Sequence, residues 1–173
     1  MRFGDFLKAT VLLNAGAASL LATLTVIGLA RESDRTLAIF CAVWWAGSVL
    51  IGIWLGRRAE ASPPIARLLA TARTQTTLPE LRPGSTIVNR LWPLLLYALA
   101  FSALGVFRPP VAAVAAGGAI IWALAWRRQE RAVLAIEERD GARFYVDRTS
   151  PFQPIRLIRT PGFGGAFLRQ PLQ

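Results

Sequence analysis

The chain has 173 residues, of which 54% are hydrophobic and only 17% are charged. Soluble domains carry more charge, so this composition indicates a membrane protein. The net charge of +10 comes from basic residues that flank apolar stretches, which favours contact with anionic lipid and argues against nucleic-acid binding. Lys8 is the only lysine among the 20 basic residues, an arginine usage that favours a GC-rich bacterial genome.

The chain contains no histidine and a single cysteine, Cys41. Histidine is the commonest acid–base residue and the commonest ligand of transition metals. One cysteine excludes an intrachain disulfide and the paired-cysteine redox sites of some membrane enzymes. We therefore predict no catalytic residue, no metal site and no cofactor, and a membrane enzyme is the least favoured functional class.

Four stretches are long and apolar enough to cross the ~30 Å hydrocarbon core as helices. They cover residues 9–30, 36–56, 91–107 and 109–126, and none contains an ionisable Asp, Glu, Lys or Arg. The first could be a signal peptide cleaved at Ala30, but it is longer than the usual apolar region of such peptides. The predicted fold is an all-α membrane protein, with a four-helix transmembrane bundle over residues 1–128 and a tail over 129–173.

The basic residues are distributed unequally around these stretches. Three of them (Arg31, Arg35 and Arg108) lie in the two short connections, whereas the other 17 lie in the termini and in the loop 57–90. Lys and Arg concentrate on the cytoplasmic side of membrane proteins. The sequence therefore predicts a bacterial inner-membrane protein with both termini in the cytoplasm.

Small and polar residues inside the stretches predict how the helices pack. Asn14 is the most polar side chain, and a hydrogen bond between helices is favoured for it over a role as a hydrogen-bonding group of a binding site. Small residues recur at intervals of four along the second and fourth stretches, where they allow close approach of backbones within the chain or against a partner subunit. These packing residues are Ser48, Gly52, Gly56, Ala113 and Gly117.

The loop 57–90 contains a candidate amphipathic helix that begins after Ser62 as its N-cap. Ile65, Leu68, Leu69 and Ala72 recur at helical spacing and form an apolar stripe. We expect this helix to lie on the anionic inner leaflet; the alternative is a poorly ordered basic loop. Six arginines are predicted to contact the membrane surface: Arg57, Arg58, Arg67, Arg73, Arg127 and Arg128.

The tail allows two interpretations of residues 130–138. They form a helix that ends at Gly141, or residues 132–138 form a strand that pairs with 142–147 around the Asp140-Gly141 turn. The β-hairpin is favoured because the strand-like "RFYV" needs a partner, and residues 155–158 are a third strand candidate. So small a sheet should rest on the loop, the membrane or a partner. The predicted docking residues are Arg143, Phe144, Tyr145, Arg156 and Arg159.

The leading functional hypothesis is a non-catalytic accessory or scaffold subunit of a membrane complex. It would bind another membrane protein, or a second copy of itself, through its spans and tail. The first alternative is a small transporter or channel for an uncharged or lipidic substrate, with polar groups along the first span at Asn14, Ser19, Thr23 and Thr25. The lack of ionisable residues in the spans argues against proton-coupled transport.

Overall fold

A computed structural model describes residues 1–57, 60–75, 83–147 and 153–161. In chain order its elements are α1 (Phe3–Glu32), α2 (Arg35–Leu55), α3 (Pro63–Ala70), β1 (Arg73–Thr74), α4 (Pro83–Phe107), α5 (Pro109–Trp126), α6 (Gln129–Asp140), β2 (Ala142–Val146) and β3 (Leu157–Pro161). They form two compact units. Unit 1 takes its described residues from Met1–Leu7, Ala59–Arg90 and Gln129–Gln173, and unit 2 from Lys8–Arg58 and Leu91–Arg128.

Four long apolar helices confirm the four predicted stretches. Helices α1, α2, α4 and the run that begins with α5 are long and apolar enough to cross a membrane, which points to a multi-pass membrane protein. α1 and α4 begin earlier than predicted, at Phe3 and Pro83. Hydropathy does not detect these first turns because they carry charges such as Asp5 and Arg90, which an apolar window excludes.

Helix α5 is the central helix of unit 2, and its neighbours explain its composition. Its Ala112, Ala115 and Ala116 form a buried cluster with Leu21 of α1, and Trp45 of α2 and Tyr97 of α4 pack against that cluster. A helix with neighbours on several sides has to be apolar all round. Small side chains let those neighbours come close, so alanine and glycine dominate α5.

Unit 1 contains a three-stranded sheet with the strand order β1-β3-β2. β2 runs antiparallel to β3, with Tyr145 opposite Ile158, and β1 runs parallel to β3, with Arg73 opposite the same Ile158. The N-terminus lies along the other edge of β2, where the Val146 N–H donates to the Met1 carbonyl oxygen at 3.0 Å. The sheet therefore joins three segments that are distant in sequence.

Helix α3 confirms the predicted amphipathic helix but not its expected environment. Ile65 and Leu69 of the apolar stripe are 1% and 9% exposed. They are buried within the protein, so they are not free to insert into a leaflet. Ser62 occupies the N-cap position without a side-chain bond; its backbone N–H instead donates to Oε1 of Gln129 at 2.9 Å.

The predicted β-hairpin between residues 132–138 and 142–147 is wrong. Residues 129–140 form α6, and the strand β2 pairs with β3 instead, so "RFYV" finds its partner further along the chain. Gly141 ends α6 with φ +59°, as the helical interpretation required. The third strand is confirmed but shifted: it runs from Leu157 to Pro161 rather than over 155–158. The fold is thus mostly helical with a small mixed sheet.

Candidate functional site

A cavity of about 400 Å³ lies within unit 2 among helices α1, α4 and α5. This volume is in the range of ~300–1,000 Å³ that is usual for ligand pockets. The walls come from two residues of α1, three of α4 and four of α5. They are Thr10, Asn14, Pro93, Leu94, Tyr97, Gly118, Ala119, Trp122 and Trp126.

Two hydrogen-bonding side chains in these walls are fixed by backbone carbonyl groups. The Asn14 amide nitrogen donates to the carbonyl oxygen of Thr10 at 2.9 Å, a bond within α1 rather than the expected one between helices. The Tyr97 hydroxyl donates to the carbonyl oxygen of Ala115 at 2.8 Å. An amide group has two N–H donors and a carbonyl acceptor, and a hydroxyl oxygen can also accept. Both groups therefore keep hydrogen-bonding capacity while they hold one position.

Two tryptophans lie at the opening of the cavity. The rings of Trp122 and Trp126 are 5.7 Å apart between centroids and tilted by 37°. Trp122 is 56% exposed, so the cavity opens on the outer surface of the helices. In a membrane such a surface faces lipid, because the helices are wrapped by the bilayer.

The cavity lies at the end of unit 2 that carries Lys8, Arg127 and Arg128, whereas Arg31, Arg35 and Arg108 lie at the other end. Asn14 follows Lys8 by six residues, about 9 Å along a helix axis, and Trp122 precedes Arg127 by five residues, about 7.5 Å. Lys8, Arg127 and Arg128 are all exposed. The walls are mostly apolar and the adjacent helix ends carry cations, which suits a ligand that has an apolar body and an anionic end.

The predicted packing residues of α2 and α5 lie against one another. The Trp45 indole N–H donates to the Ala113 carbonyl oxygen at 3.0 Å. A Cβ on Gly117 would collide with Trp44 and Ser48, and one on Gly52 would lie 2.8 Å from Cβ of Leu124. A Cβ on Gly56 would likewise collide with the backbone at Leu124. These small residues are thus placed where α2 and α5 approach each other most closely.

The other polar residues of the first span do not converge on the cavity. The hydroxyl groups of Ser19, Thr23 and Thr25 donate to the carbonyl groups four residues earlier in α1, at 2.8–3.0 Å. Thr25 is fully buried, whereas Ser19 and Thr23 are exposed. Of the four residues proposed for a transport path, Asn14 is the one that lines the cavity.

The predicted surface arginines are exposed wherever the structure describes them: Arg57, Arg67, Arg73, Arg127 and Arg128. Arg58 lies outside the described residues. The Arg128 guanidinium donates to the Arg57 carbonyl oxygen at 3.0 Å, and the Arg57 guanidinium lies 6.0 Å from the centroid of the Trp54 ring. This pair belongs to the same unit as the cavity.

The predicted docking residues of the tail divide into two groups. Arg143, Arg156 and Arg159 are exposed. Phe144 and Tyr145 are 2% and 4% exposed, so they belong to the core of unit 1. Strand alternation places Arg143 and Tyr145 on one face of β2 and Phe144 on the other.

Sequence reasoning missed the cavity and the role of the N-terminus. Tyr97 and Trp122 lie in different helices, and no local pattern signals that they meet. Among the described residues, no group of three or more His, Cys, Asp or Glu side chains could hold a metal ion. Comparison with protein-family models, with curated proteins and with solved structures finds no match to this chain.

Proposed function

We propose that this protein is a non-catalytic accessory or scaffold subunit of a membrane complex, and that unit 1 is its docking module. The observation that carries the proposal is the construction of unit 1: a buried core beneath a surface of exposed arginines. These are Arg73, Arg143, Arg156 and Arg159; strand register places Arg73 and Arg143 on one face of the sheet and Arg159 on the other. Such a basic surface is complementary to an acidic partner and would steer its approach.

The topology of the proposal has two supports. Residues 1–7, 60–75 and 129–147 belong to one compact unit, which supports a topology in which the segments 8–58 and 91–128 each start and end on the same side of the membrane. That side holds 17 of the 20 basic residues. Under the positive-inside rule it is the cytoplasm, and we propose the bacterial inner membrane as the location.

Labelling of single cysteines tests this orientation. In a Cys41→Ser background, Ser33→Cys lies between α1 and α2 and Ser62→Cys lies just before α3. A membrane-impermeant maleimide applied to cells with a permeabilised outer membrane should label the first variant and not the second. The reverse labelling pattern would overturn the cytoplasmic placement of unit 1.

Strand register identifies the arginines to change in a docking test. Arg73 lies opposite Ile158, which lies opposite Tyr145, and Arg143 is two residues from Tyr145. Side chains alternate along strands, so Arg73 and Arg143 share one face of the sheet. The double variant Arg73→Glu/Arg143→Glu reverses the charge at two exposed positions of that face and leaves its buried Tyr145 and Ile158 unchanged.

Copurification from native membranes in mild detergent tests the docking function. The wild type should retain a partner at a fixed ratio, and the double variant should lose it. Arg31→Glu/Arg108→Glu is the matched control, because these residues lie on the far side of the membrane in the proposed topology. If the wild-type protein elutes as a monomer or homo-oligomer without another protein, the scaffold proposal is wrong.

The cavity favours a second candidate, a small transporter of an uncharged or lipidic substrate. Asn14 and Tyr97 would orient such a substrate between α1 and α4. Liposomes that contain purified protein should then exchange labelled lipid or a neutral solute faster than empty liposomes. Equal exchange rates in the two preparations would remove this candidate.

A further inference from the structure

We propose that the cavity of unit 2 binds one molecule of an anionic phospholipid, with an acyl chain between α1, α4 and α5. The phosphate group would lie at the basic boundary formed by Lys8 and Arg127. The inference does not rest on the scaffold function, because a bound lipid of this kind is compatible with any role of the protein.

The lining of the cavity suits an acyl chain. Pro93, Leu94 and Ala119 supply apolar surface, and the exposed Trp122 marks an opening on the outside of the helices. An acyl chain can enter sideways through such an opening without leaving the bilayer. A water-soluble ligand would have to cross lipid to reach the same place.

The charges beside the cavity select the head group. Lys8, Arg127 and Arg128 are exposed, lie in the same unit as the cavity and immediately precede or follow apolar segments. Basic sites between transmembrane helices on the cytoplasmic side bind the head groups of anionic lipids. The head group of a zwitterionic lipid also carries a positive charge, which these cations repel, so its electrostatic attraction to the site is weaker.

The polar groups of the cavity suit the ester linkage of a phospholipid. The Asn14 side chain is 8% exposed, and its amide keeps one N–H beyond the bond to Thr10. This donor lies about 9 Å below Lys8 along α1. It would donate to an ester carbonyl oxygen of a lipid whose phosphate is at the boundary.

Native mass spectrometry in a non-ionic detergent tests the proposal with phosphatidylglycerol and phosphatidylcholine of identical chains. We expect one phosphatidylglycerol per protein, bound at least five-fold more tightly than phosphatidylcholine. Gly118→Leu fills the cavity, since a Cβ at this position lies 3.3 Å from the Tyr97 hydroxyl oxygen. It should weaken the binding of phosphatidylglycerol at least ten-fold. Gly16→Leu, with open space around its Cβ, is the control and should bind as the wild type does.

The head-group contribution is tested separately. Lys8→Gln/Arg127→Gln should reduce the preference for phosphatidylglycerol to less than two-fold while phosphatidylcholine affinity stays unchanged. Arg31→Gln/Arg108→Gln removes the same charge elsewhere and should leave the preference intact. Equal binding of the two lipids by the wild type would overturn the anionic selectivity.

Three further results would overturn the cavity assignment. The first is that the wild type retains no lipid. The second is that Gly118→Leu binds phosphatidylglycerol as tightly as the wild type does. The third is that oleate binds as tightly as phosphatidylglycerol, which would make the ligand a free fatty acid. Leu94→Trp fills the cavity from α4 and replaces Gly118→Leu if that variant loses helicity. Binding by a correctly folded Leu94→Trp variant at wild-type strength would likewise overturn the proposal.

Discussion

The two units of the molecule bury opposite kinds of residues. The largest fully buried side chains of unit 1 include Phe3, Phe144 and Ile65, whereas unit 2 buries mainly alanine, glycine and small hydroxyl residues. The large apolar side chains of unit 2 are on its outside: Leu50 and Leu99 are each 69% exposed. Among the described residues of unit 1, only two large apolar side chains are exposed, Val88 at 58% and Leu134 at 39%.

This contrast is the one expected if unit 1 folds in water and the helices of unit 2 fold in lipid. In water, burial of large apolar side chains is the main force that stabilises a fold. In lipid that force is lost between helices, because acyl chains are as apolar as leucine, and close packing of small residues replaces it. One chain therefore contains two cores of different composition, and the difference supports the membrane assignment of α1, α2, α4 and α5.

The largest expected effect tests the core of unit 1. Phe144→Ala removes a 2%-exposed ring and should destabilise unit 1 by about 3–5 kcal/mol. Amide hydrogen exchange in β2 and β3 should accelerate strongly, while exchange in α2 and α5 stays slow. Phe107→Ala is the control: Phe107 is 80% exposed, and its loss should change stability by less than about 0.5 kcal/mol. Unchanged protection in Phe144→Ala would contradict the two-core comparison.

The second prediction tests the small-residue core of unit 2. Gly117→Leu places a large side chain against Trp44 and Ser48 and should cost about 1–3 kcal/mol through overpacking. Unfolding of the helices by increasing SDS in mixed micelles, followed by circular dichroism, measures this loss. Gly47→Leu has open space at its Cβ and should unfold at the wild-type SDS fraction. Equal midpoints for both variants would mean that α2 and α5 do not pack closely.

The third prediction concerns the end of α6. Gly141 has φ +59°, a conformation that costs an L-residue roughly 1–2 kcal/mol, so Gly141→Ala should lower the melting temperature of unit 1. Space is not the reason, since nothing lies within 4 Å of a Cβ at this position. Gly84→Ala, which also has open space but lies in α4 without a positive φ, should be neutral or slightly stabilising. Destabilisation of both variants alike would refute the backbone explanation.

The smallest effect comes from one carboxyl group of unit 1. Burial raises the pKa of Glu137, although the Phe144 N–H at 2.8 Å and the charges of Arg2 and Arg143 oppose this shift. A carboxyl with a raised pKa binds its proton more tightly in the folded state. Its stabilising contribution is therefore present below the ordinary glutamate pKa and is lost as the pH rises through the higher folded-state pKa.

Thermal melting between about pH 4 and pH 7 measures this dependence. Glu137→Gln keeps an acceptor for the Phe144 N–H and removes the charge, so it should flatten the fall in stability with rising pH by less than about 1 kcal/mol. Glu138→Gln changes an exposed neighbour and should keep the wild-type pH profile. If Glu138→Gln flattened the profile equally, Glu137 would not be its source.

The sequence predicts the helices of unit 2 well because hydrophobic length is a local property. The stretch 109–126 matches α5 residue for residue, and the charged Arg127 marks its end. The spacing of Ile65 and Leu69 likewise predicts α3. Their burial within the protein was not predictable, because an apolar stripe is the same whether it meets lipid or a protein core.

The sequence predicts unit 1 poorly because its contacts are long-range. "RFYV" indicates a strand, but its partner could be the preceding segment at 132–138 or the following one, and local pattern favours the nearer. The structure pairs it with Leu157–Pro161 and places Met1 on its other edge. The cavity was missed for the same reason, since Asn14, Tyr97 and Trp122 come from three helices.

The joining of three distant segments in unit 1 has a consequence for biosynthesis. The Met1 carbonyl oxygen bonds to β2, and β1 pairs with β3. Neither contact can form until β2 and β3 have left the ribosome, which happens after synthesis of α1, α2, α4 and α5. If one helix were inserted in the wrong direction, one of the three segments would be left on the opposite side of the membrane from the others. Phe3, Ile65 and Phe144 would then remain uncovered, as apolar residues that chaperones and proteases recognise. The sheet can therefore form only when all three segments lie on the same side of the membrane.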